Sequence, residues 1–171
     1  MTAPAAVATI CAARASDEPA IRSLLDAAGL PSQDVRCGAQ DLLTAWDGAA
    51  LVGVVGLERY GPDALLRSLA VAEAWRGRGL GDALCRRAIE VARGLGLRTL
   101  YLLTPTAAPF FAARGFSRLE RAAVPSAVQA STQFGGLCCA SAACLALELA
   151  LPPGRDPGGT VACWSLPDAG R

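Results

Sequence analysis

An α/β fold of the α+β type, with helices flanking a mixed, mostly antiparallel sheet, is what this sequence predicts, on three observations. Short apolar runs with strand character alternate with stretches whose apolar residues recur at helical spacing. Asp47-Gly48 separates two of the strand-like runs, a hairpin signal because both residue types tolerate positive φ. Leu65 to Gly81 reads as a strand, a short arm and a glycine-rich turn that feeds a helix.

Taken in order, Val7 to Ala13 suits an opening strand. Ser16-Asp17-Glu18-Pro19 is a helix start, with a capping side chain, an acidic first turn and an early proline. Ile21, Leu24, Leu25 and Ala28 fall on one face of that helix, Gly29 ends it and Pro31 prevents its return. Leu42–Trp46 and Ala50–Glu58 are strands, and Gly61-Pro62-Asp63 turns the chain into a third, Ala64–Ala72. The helix from Gly79 to Arg93 has Leu80, Leu84, Ala88 and Val91 to bury. A strand over Leu97–Thr104, a short helix over Thr106–Arg114, a strand-like Phe116–Arg121, a small helix over Ser126–Gln133 and a last strand over Cys144–Leu151 complete the pattern.

Composition narrows the function. A chain of 171 residues predicts one domain, here over residues 1–151, followed by a Pro/Gly-rich and loosely ordered tail over 152–171. A net charge of +1 indicates neither a nucleic-acid surface nor a polybasic membrane patch. The residues from Met1 to Thr9 carry no basic region or long apolar core, so no secretory signal is expected and the expected location is the cytoplasm. Every one of the sixteen cations is arginine, and the Arg, Ala, Gly and Pro enrichment suggests a GC-rich bacterial genome. With no histidine in the chain, Ser-His and Cys-His nucleophile pairs, His-containing zinc sites and a histidine base are excluded. Seven scattered cysteines predict reduced thiols rather than a disulfide framework, and no metal is expected.

The chemistry concentrates at Arg76-Gly77-Arg78-Gly79-Leu80-Gly81. Glycines strip side chains from this turn, so its N–H groups can close on an anion at the positive end of the following helix. Arg76 and Arg78 add full charge where phosphates would lie.

Arg76, Gly79 and Gly81, in the spacing Arg-x-x-Gly-x-Gly, resemble the acetyl-CoA pyrophosphate loop of the GNAT N-acetyltransferases. Phe110 to Phe116 is similar to the later GNAT signature, aromatic-x-x-x-Gly-Phe. More narrowly, Leu51–Gly61, Leu66–Val71 and Phe134–Ala142 resemble the arsenic-resistance N-acetyltransferases, with Cys139 standing where that family's pattern has proline. The resemblance covers roughly residues 8 to 150. It implies a sheet splayed between the strands at 65–72 and 97–104, with the pantetheine arm lying along the backbone of Leu69, Ala70 and Val71. It also implies acetyl-CoA as co-substrate, held by Arg76, Gly77, Arg78, Gly79, Leu80, Gly81 and Phe111, and direct attack of an amine on the thioester. Many GNAT enzymes have a tyrosine acid where this chain has Phe111, which has no proton to give.

Among the remaining residues Glu58, at a strand end, is the candidate general base, against the reading of a solvated carboxylate. Arg67 lies inside an apolar strand and needs an anion, either a substrate group or Glu58 itself. Arg59, Tyr60 and Cys138 are further substrate-side candidates, and Tyr60, Tyr101 or water could supply the missing acid. Two functions follow. The first is acetylation of a small primary amine, in arsenic or toxin resistance. The second is a thiol-based metalloid-binding protein on the same scaffold, using Cys138, Cys139 and Cys144. A small-molecule amine is the expected partner, with no nucleic acid or membrane, and a homodimer is compatible with the sequence.

Overall fold

The computed structural model describes residues 8–150 and the backbone of Trp164–Ser165. Its strands are β1 (Thr9–Ala12), β2 (Asp41–Asp47), β3 (Ala50–Tyr60), β4 (Asp63–Val71), β5 (Thr99–Thr104), β6 (Ser117–Arg118), β7 (Ala143–Glu148) and β8 (Trp164–Ser165). The helices are α1 (Glu18–Ala27), α2 (Leu80–Gly94), α3 (Ala108–Ala112) and α4 (Ser126–Gln129). Among the described residues the strands hydrogen-bond in the order β6-β7-β5-β4-β3-β2-β1-β8. The pairings β8–β1, β1–β2, β5–β7 and β7–β6 are antiparallel, whereas β4–β5 is parallel. That parallel register covers only Asp63↔Thr99, Ala64↔Leu100 and Leu65↔Tyr101, although each strand runs on, to Val71 and to Thr104.

The chain divides into two compact units, one of residues 8–56, 68–88 and β8, the other of 57–67 and 89–150. In the first, Ile21 and Leu25 of α1 are fully buried against Val35, Leu42, Val54 and Ala70, with Leu24 and Ala28 packed at the edge. The helix ends as its sequence predicts. Gly29 takes φ 69° and the Leu30 N–H reaches back 2.9 Å to the Leu25 carbonyl, satisfying an orphan acceptor of the last turn. At its beginning Asp17 is the cap residue, and its carboxylate accepts the Arg14 N–H at 2.7 Å, closing the 3-10 turn that precedes the helix. The polar segment after Pro31 is pinned to this helix, because Val35 is fully buried and Glu18 accepts the Cys37 N–H at 3.1 Å. That hydrogen bond, with the Arg22 guanidinium at 3.1 Å, holds the Glu18 carboxyl below the ordinary range.

Between β2 and β3 the turn residues are Gly48 and Ala49, and Gly48 alone takes positive φ, at 56°. The glycine at Gly53 has a packing reason. A Cβ there would come within 2.7 Å of Leu84 Cδ1 and 3.3 Å of Ala45 Cβ, so α2 sits directly on the backbone of β3.

The second unit is built on β5 and β7, whose register runs from Thr99↔Glu148 to Thr104↔Ala143. Leu65, Tyr101, Val124, Val128 and Cys144 form its buried cluster, with Tyr60, Leu119 and Phe134 packed around it. Two expectations need correction here. The strand over Phe116–Arg121 pairs only at Ser117↔Ala146 and Arg118↔Leu145, and a 3-10 turn at Arg121–Ala123 follows. The single helix over Ser126–Gln133 stops at Gln129, and a π-type turn at Gln133–Leu137 is broken by Gly136 at φ 130°.

Of the tail expected over 152–171, Trp164 and Ser165 pair with Ile10 and Thr9 as an edge strand, and the remainder lies outside the described residues. No helix among the described residues is long and apolar enough to cross a membrane.

Gly53→Val is expected to lower unfolding free energy by about 1–3 kcal/mol through overpacking against Leu84, read from urea denaturation. An unchanged midpoint would show that Leu84 moves aside freely.

Candidate active site

The glycine-rich turn is placed by its hydrophobic flanks. After β4, Ala72 donates to the Val52 carbonyl at 2.9 Å, and a 3-10 turn over Glu73–Trp75 drives the Trp75 ring into the core, 8% exposed. Residues 76–79 are then exposed, and Leu80, 2% exposed, plugs the chain back into the core as the first residue of α2. Gly77 and Gly79 take φ 72° and 81°, a left-handed conformation that a side chain would strain even though there is room for a Cβ. Ala83 donates to the Gly79 carbonyl at 3.0 Å, so Gly79 is the cap. The N–H groups of Gly79, Leu80, Gly81 and Asp82 therefore lie in the first turn, which has no intrahelical acceptors for them.

Two arginines flank these donors. Arg78 lies 5.6 Å from the Trp75 ring centroid, and Arg76 Nε donates to the Val71 carbonyl at 3.2 Å. The set suits a diphosphate: several convergent N–H donors, the positive end of a 15-residue helix and two full charges. Upstream, Ser68 takes φ 57° in the middle of β4, a conformation costing roughly 1–2 kcal/mol for a residue with a Cβ. Four successive residues before it, Ala64 to Arg67, are buried, and after it Leu69 and Val71 are half-exposed while Ala70 is buried. No feature of the sequence marks Ser68 for this role, since serine has no strong preference for positive φ.

In the second unit, Glu58 and Tyr60 lie two residues apart on β3 and so on one face of the strand. Arg67 Nη1 donates to Glu58 Oε2 at 2.9 Å, with the arginine side chain 2% and the glutamate 21% exposed. The Tyr60 hydroxyl donates to Glu58 Oε1. Arg67 is thus paired with an internal carboxylate, one of the two anions its burial called for. Arg59, exposed, lies on the opposite face of the strand. Burial, then the hydrogen bond and charge of Glu58, push the Tyr60 phenol up to about 12, against smaller opposing contributions from a Ser131 hydrogen bond and from Arg67. The arrangement presents a partly exposed carboxylate, pinned at both oxygens and retaining lone pairs able to accept a proton.

The remaining candidates are placed elsewhere in that unit. Phe111, 6% exposed in α3, packs edge-on against Phe110 and Phe116 at 5.1 and 5.5 Å. Tyr101 is buried, and burial raises its hydroxyl pKa. Cys138 is half-buried and Cys144 buried, and burial raises both thiols. Cys139 is exposed and lowered, first by the Ser141 hydroxyl 3.6 Å from its sulfur. Arg121 donates to the Cys139 carbonyl at 2.7 Å, beside a cavity of about 450 Å³ lined by residues 118–122 and 140–144. Among the described residues no three Cys, Asp or Glu side chains converge to hold a metal ion.

Residues 38–118 match the acetyltransferase (GNAT) domain family. An amino-acid acetyltransferase of Pseudomonas aeruginosa is 50% identical over 58 residues, which are 33% of this chain and 13% of that protein. The chain thus spans only 13% of the length of the curated relatives it matches. N-acetylglutamate synthase of Neisseria gonorrhoeae, solved with coenzyme A and N-acetyl-glutamate, superposes with TM-score 0.72 at 23% identity, over 86% of this chain and 36% of that one. A Mycobacterium tuberculosis protein solved with CoA and NLQ superposes with TM-score 0.68 at 25% identity, over 82% of this chain and 99% of that one.

The chain has two tyrosines, so Tyr101→Phe leaves Tyr60 as the sole phenol. Followed by tyrosinate absorbance, Tyr60 is expected to ionise near pH 12, and Glu58→Gln to lower that midpoint by removing a negative charge and weakening the acceptor. A midpoint unmoved by Glu58→Gln would mean that the two side chains do not meet.

Proposed function

We propose, on the premise that this chain carries a GNAT acetyltransferase domain over residues 38–118, that it transfers the acetyl group of acetyl-CoA to the primary amine of a small, amino-acid-like molecule. The observation that carries the reading is the exposed Arg76–Gly79 turn opening α2, where a pair of left-handed glycines and two arginines make a diphosphate cradle. The curated relatives named amino-acid acetyltransferase, and the similar structures solved with coenzyme A, support the same chemistry.

In this reading the first-turn N–H groups of α2, with Arg76 and Arg78, hold the pyrophosphate of acetyl-CoA, and the backbone of Leu69–Val71 receives the pantetheine arm. Glu58 accepts a proton from the acceptor's ammonium group, directly or through water. The freed amine nitrogen bonds to the thioester carbonyl carbon, the C–S bond breaks and CoA leaves as thiolate. The second amine proton passes to solvent or to that thiolate. A thiol pKa near ~8.5 makes an acid dispensable for this departure, which fits the phenyl ring at position 111. Proximity and orientation supply most of the acceleration. Acetylation neutralises the amine, which would detoxify an amino-acid toxin. An arsenical amino acid is the acceptor of this class that the Phe134–Ala142 segment singles out. The thiol-based alternative has no comparable support, because Cys138 and Cys144 are held toward the protonated form by burial.

Acetyl-CoA at 100 times its dissociation constant is expected to add about 2.7 kcal/mol to stability, read as a raised melting temperature. Gly79→Glu should abolish that shift while the unliganded protein still melts cooperatively, and a retained shift would move the pyrophosphate away from this turn. Glu58→Gln should keep the acetyl-CoA shift and lower kcat by about a hundredfold or more. Full turnover in that variant would remove Glu58 as the base.

A further inference from the structure

β6 and β7 run together only briefly, and the acetyl transfer proposed for this chain uses none of the residues where they part. Their register ends at Arg118↔Leu145, one further bond runs from the Leu119 N–H to the Cys144 carbonyl at 3.1 Å, and a 3-10 turn at Arg121–Ala123 then leads the chain away. The fork holds a cavity of about 450 Å³, lined by residues 118–122 and 140–144. Its floor is apolar: Ala142 and Cys144 are 6% and 5% exposed, and Leu119 and Cys144 belong to the hydrophobic cluster of the second unit. Its rim is charged, with Arg118 and Glu120 exposed and Arg121 half-buried.

Arg121 spans the fork. Its Nη2 donates to the Cys139 carbonyl at 2.7 Å and to the Ala142 carbonyl at 3.3 Å, and the guanidinium lies 5.9 Å from the Phe134 ring centroid. The Cys139 carbonyl also accepts the Ala142 N–H at 3.0 Å, so the arginine clasps a tight turn. Carbonyl and ring dipoles hold this cation without neutralising it. Among the described residues neither Arg121 nor Arg118 pairs with a carboxylate, whereas Arg22, Arg67 and Arg86 each do. Glu120 stands between the two in sequence and pairs with neither. The Cys144 thiol on the floor is kept protonated by burial and supplies no counter-charge. A guanidinium has five N–H groups, and the two carbonyls take those of Nη2 alone, so Nε and Nη1 of Arg121 are left for a further acceptor.

From this cavity and its two uncompensated guanidiniums we infer a second ligand site on the chain, one that takes a small organic dicarboxylate between Arg118 and Arg121. Two full positive charges at one opening select an anion, and a carboxylate matches guanidinium N–H groups in geometry as well as in charge. The volume is that of a pocket for a small molecule, larger than a single ion needs. A short dicarboxylate answers each feature: one carboxylate for each arginine, and methylenes to lie on the apolar floor at Leu119 and Ala142. Ser141, whose hydroxyl lies 3.6 Å from Cys139 Sγ, adds a neutral polar group on the opposite wall. Glu120 opposes the ligand and limits its affinity. The site shares no residue with the Arg76–Gly81 turn or with Glu58, so the inference stands apart from the transfer reaction.

The test is a titration of the isotope-labelled full chain with sodium succinate at fixed ionic strength, without acetyl-CoA, followed by backbone amide NMR shifts. Saturable shifts are expected at residues 118–122 and 140–144. Arg118→Gln changes an exposed side chain, so the fold is kept, and it should weaken binding about tenfold through the loss of one charge-assisted contact. Glu120→Gln should tighten binding severalfold by removing the opposing charge. Arg93→Gln, at an exposed arginine of α2, should leave the dissociation constant unchanged. The inference is overturned if no saturable shift appears, or if the shifts centre on the first turn of α2 instead. It is equally overturned if Arg118→Gln binds as the wild type does, if Arg93→Gln weakens binding as much, or if inorganic phosphate binds as tightly as succinate, since each would reduce the cavity to unselective surface charge.

Discussion

Arg67 places a permanent positive charge inside an apolar strand, and that constraint shapes the chemistry of the second unit. A guanidinium cannot discharge by losing a proton, so burial at 2% exposure obliges the fold to supply an anion. Glu58 answers that demand, and removing it would leave the Arg67 charge buried without this partner, a loss on the order of 3–5 kcal/mol. The same carboxylate meets Tyr60 through its other oxygen, and it is the side chain proposed to take the incoming proton. Structural necessity and the proposed catalytic role therefore fall on one side chain, which explains why its neighbours are so closely specified.

The first unit solves a different problem, that of exposing backbone donors without unravelling the helix that carries them. Trp75 before the turn and Leu80 after it are both buried, so the four residues between are held out by their anchors. Left-handed Gly77 and Gly79 let the chain reverse within that short span. Close packing of Gly53 against Leu80 and Leu84 sets the height of α2 over its strand. The turn is thus held between buried flanks while its own two glycines and two arginines face outward.

Legibility in the sequence followed the range of the interaction. The turn at Arg76–Gly81, the helix stop at Gly29 and the hairpin at Gly48 were readable because each is decided by a few adjacent residues. The helix expected over Ser126–Gln133 was readable only in its first turn. Further on, the chain trades regular α-helical bonding for a turn in which the Gly135 and Phe134 N–H groups converge on Ser131, and helical spacing does not report such a trade. The strand expected over Phe116–Arg121 shortened: its register with β7 covers Ser117 and Arg118, one more backbone bond runs from Leu119 to Cys144, and a 3-10 turn then takes the chain away. Arg67 was conspicuous as a buried cation, yet the strand alone favoured a substrate anion over Glu58, and the fold paired it with Glu58.

By itself the sequence determined the class of fold, the order of most of its elements and the glycine-rich turn that opens α2, since hydrophobic period, turn residues and glycine placement act over a few residues of chain. Only the tertiary structure decided that Arg67 pairs with Glu58 and that Ser68 takes a left-handed backbone. Those choices depend on which groups are desolvated together, and desolvation is settled by residues distant along the chain that meet once the core has closed.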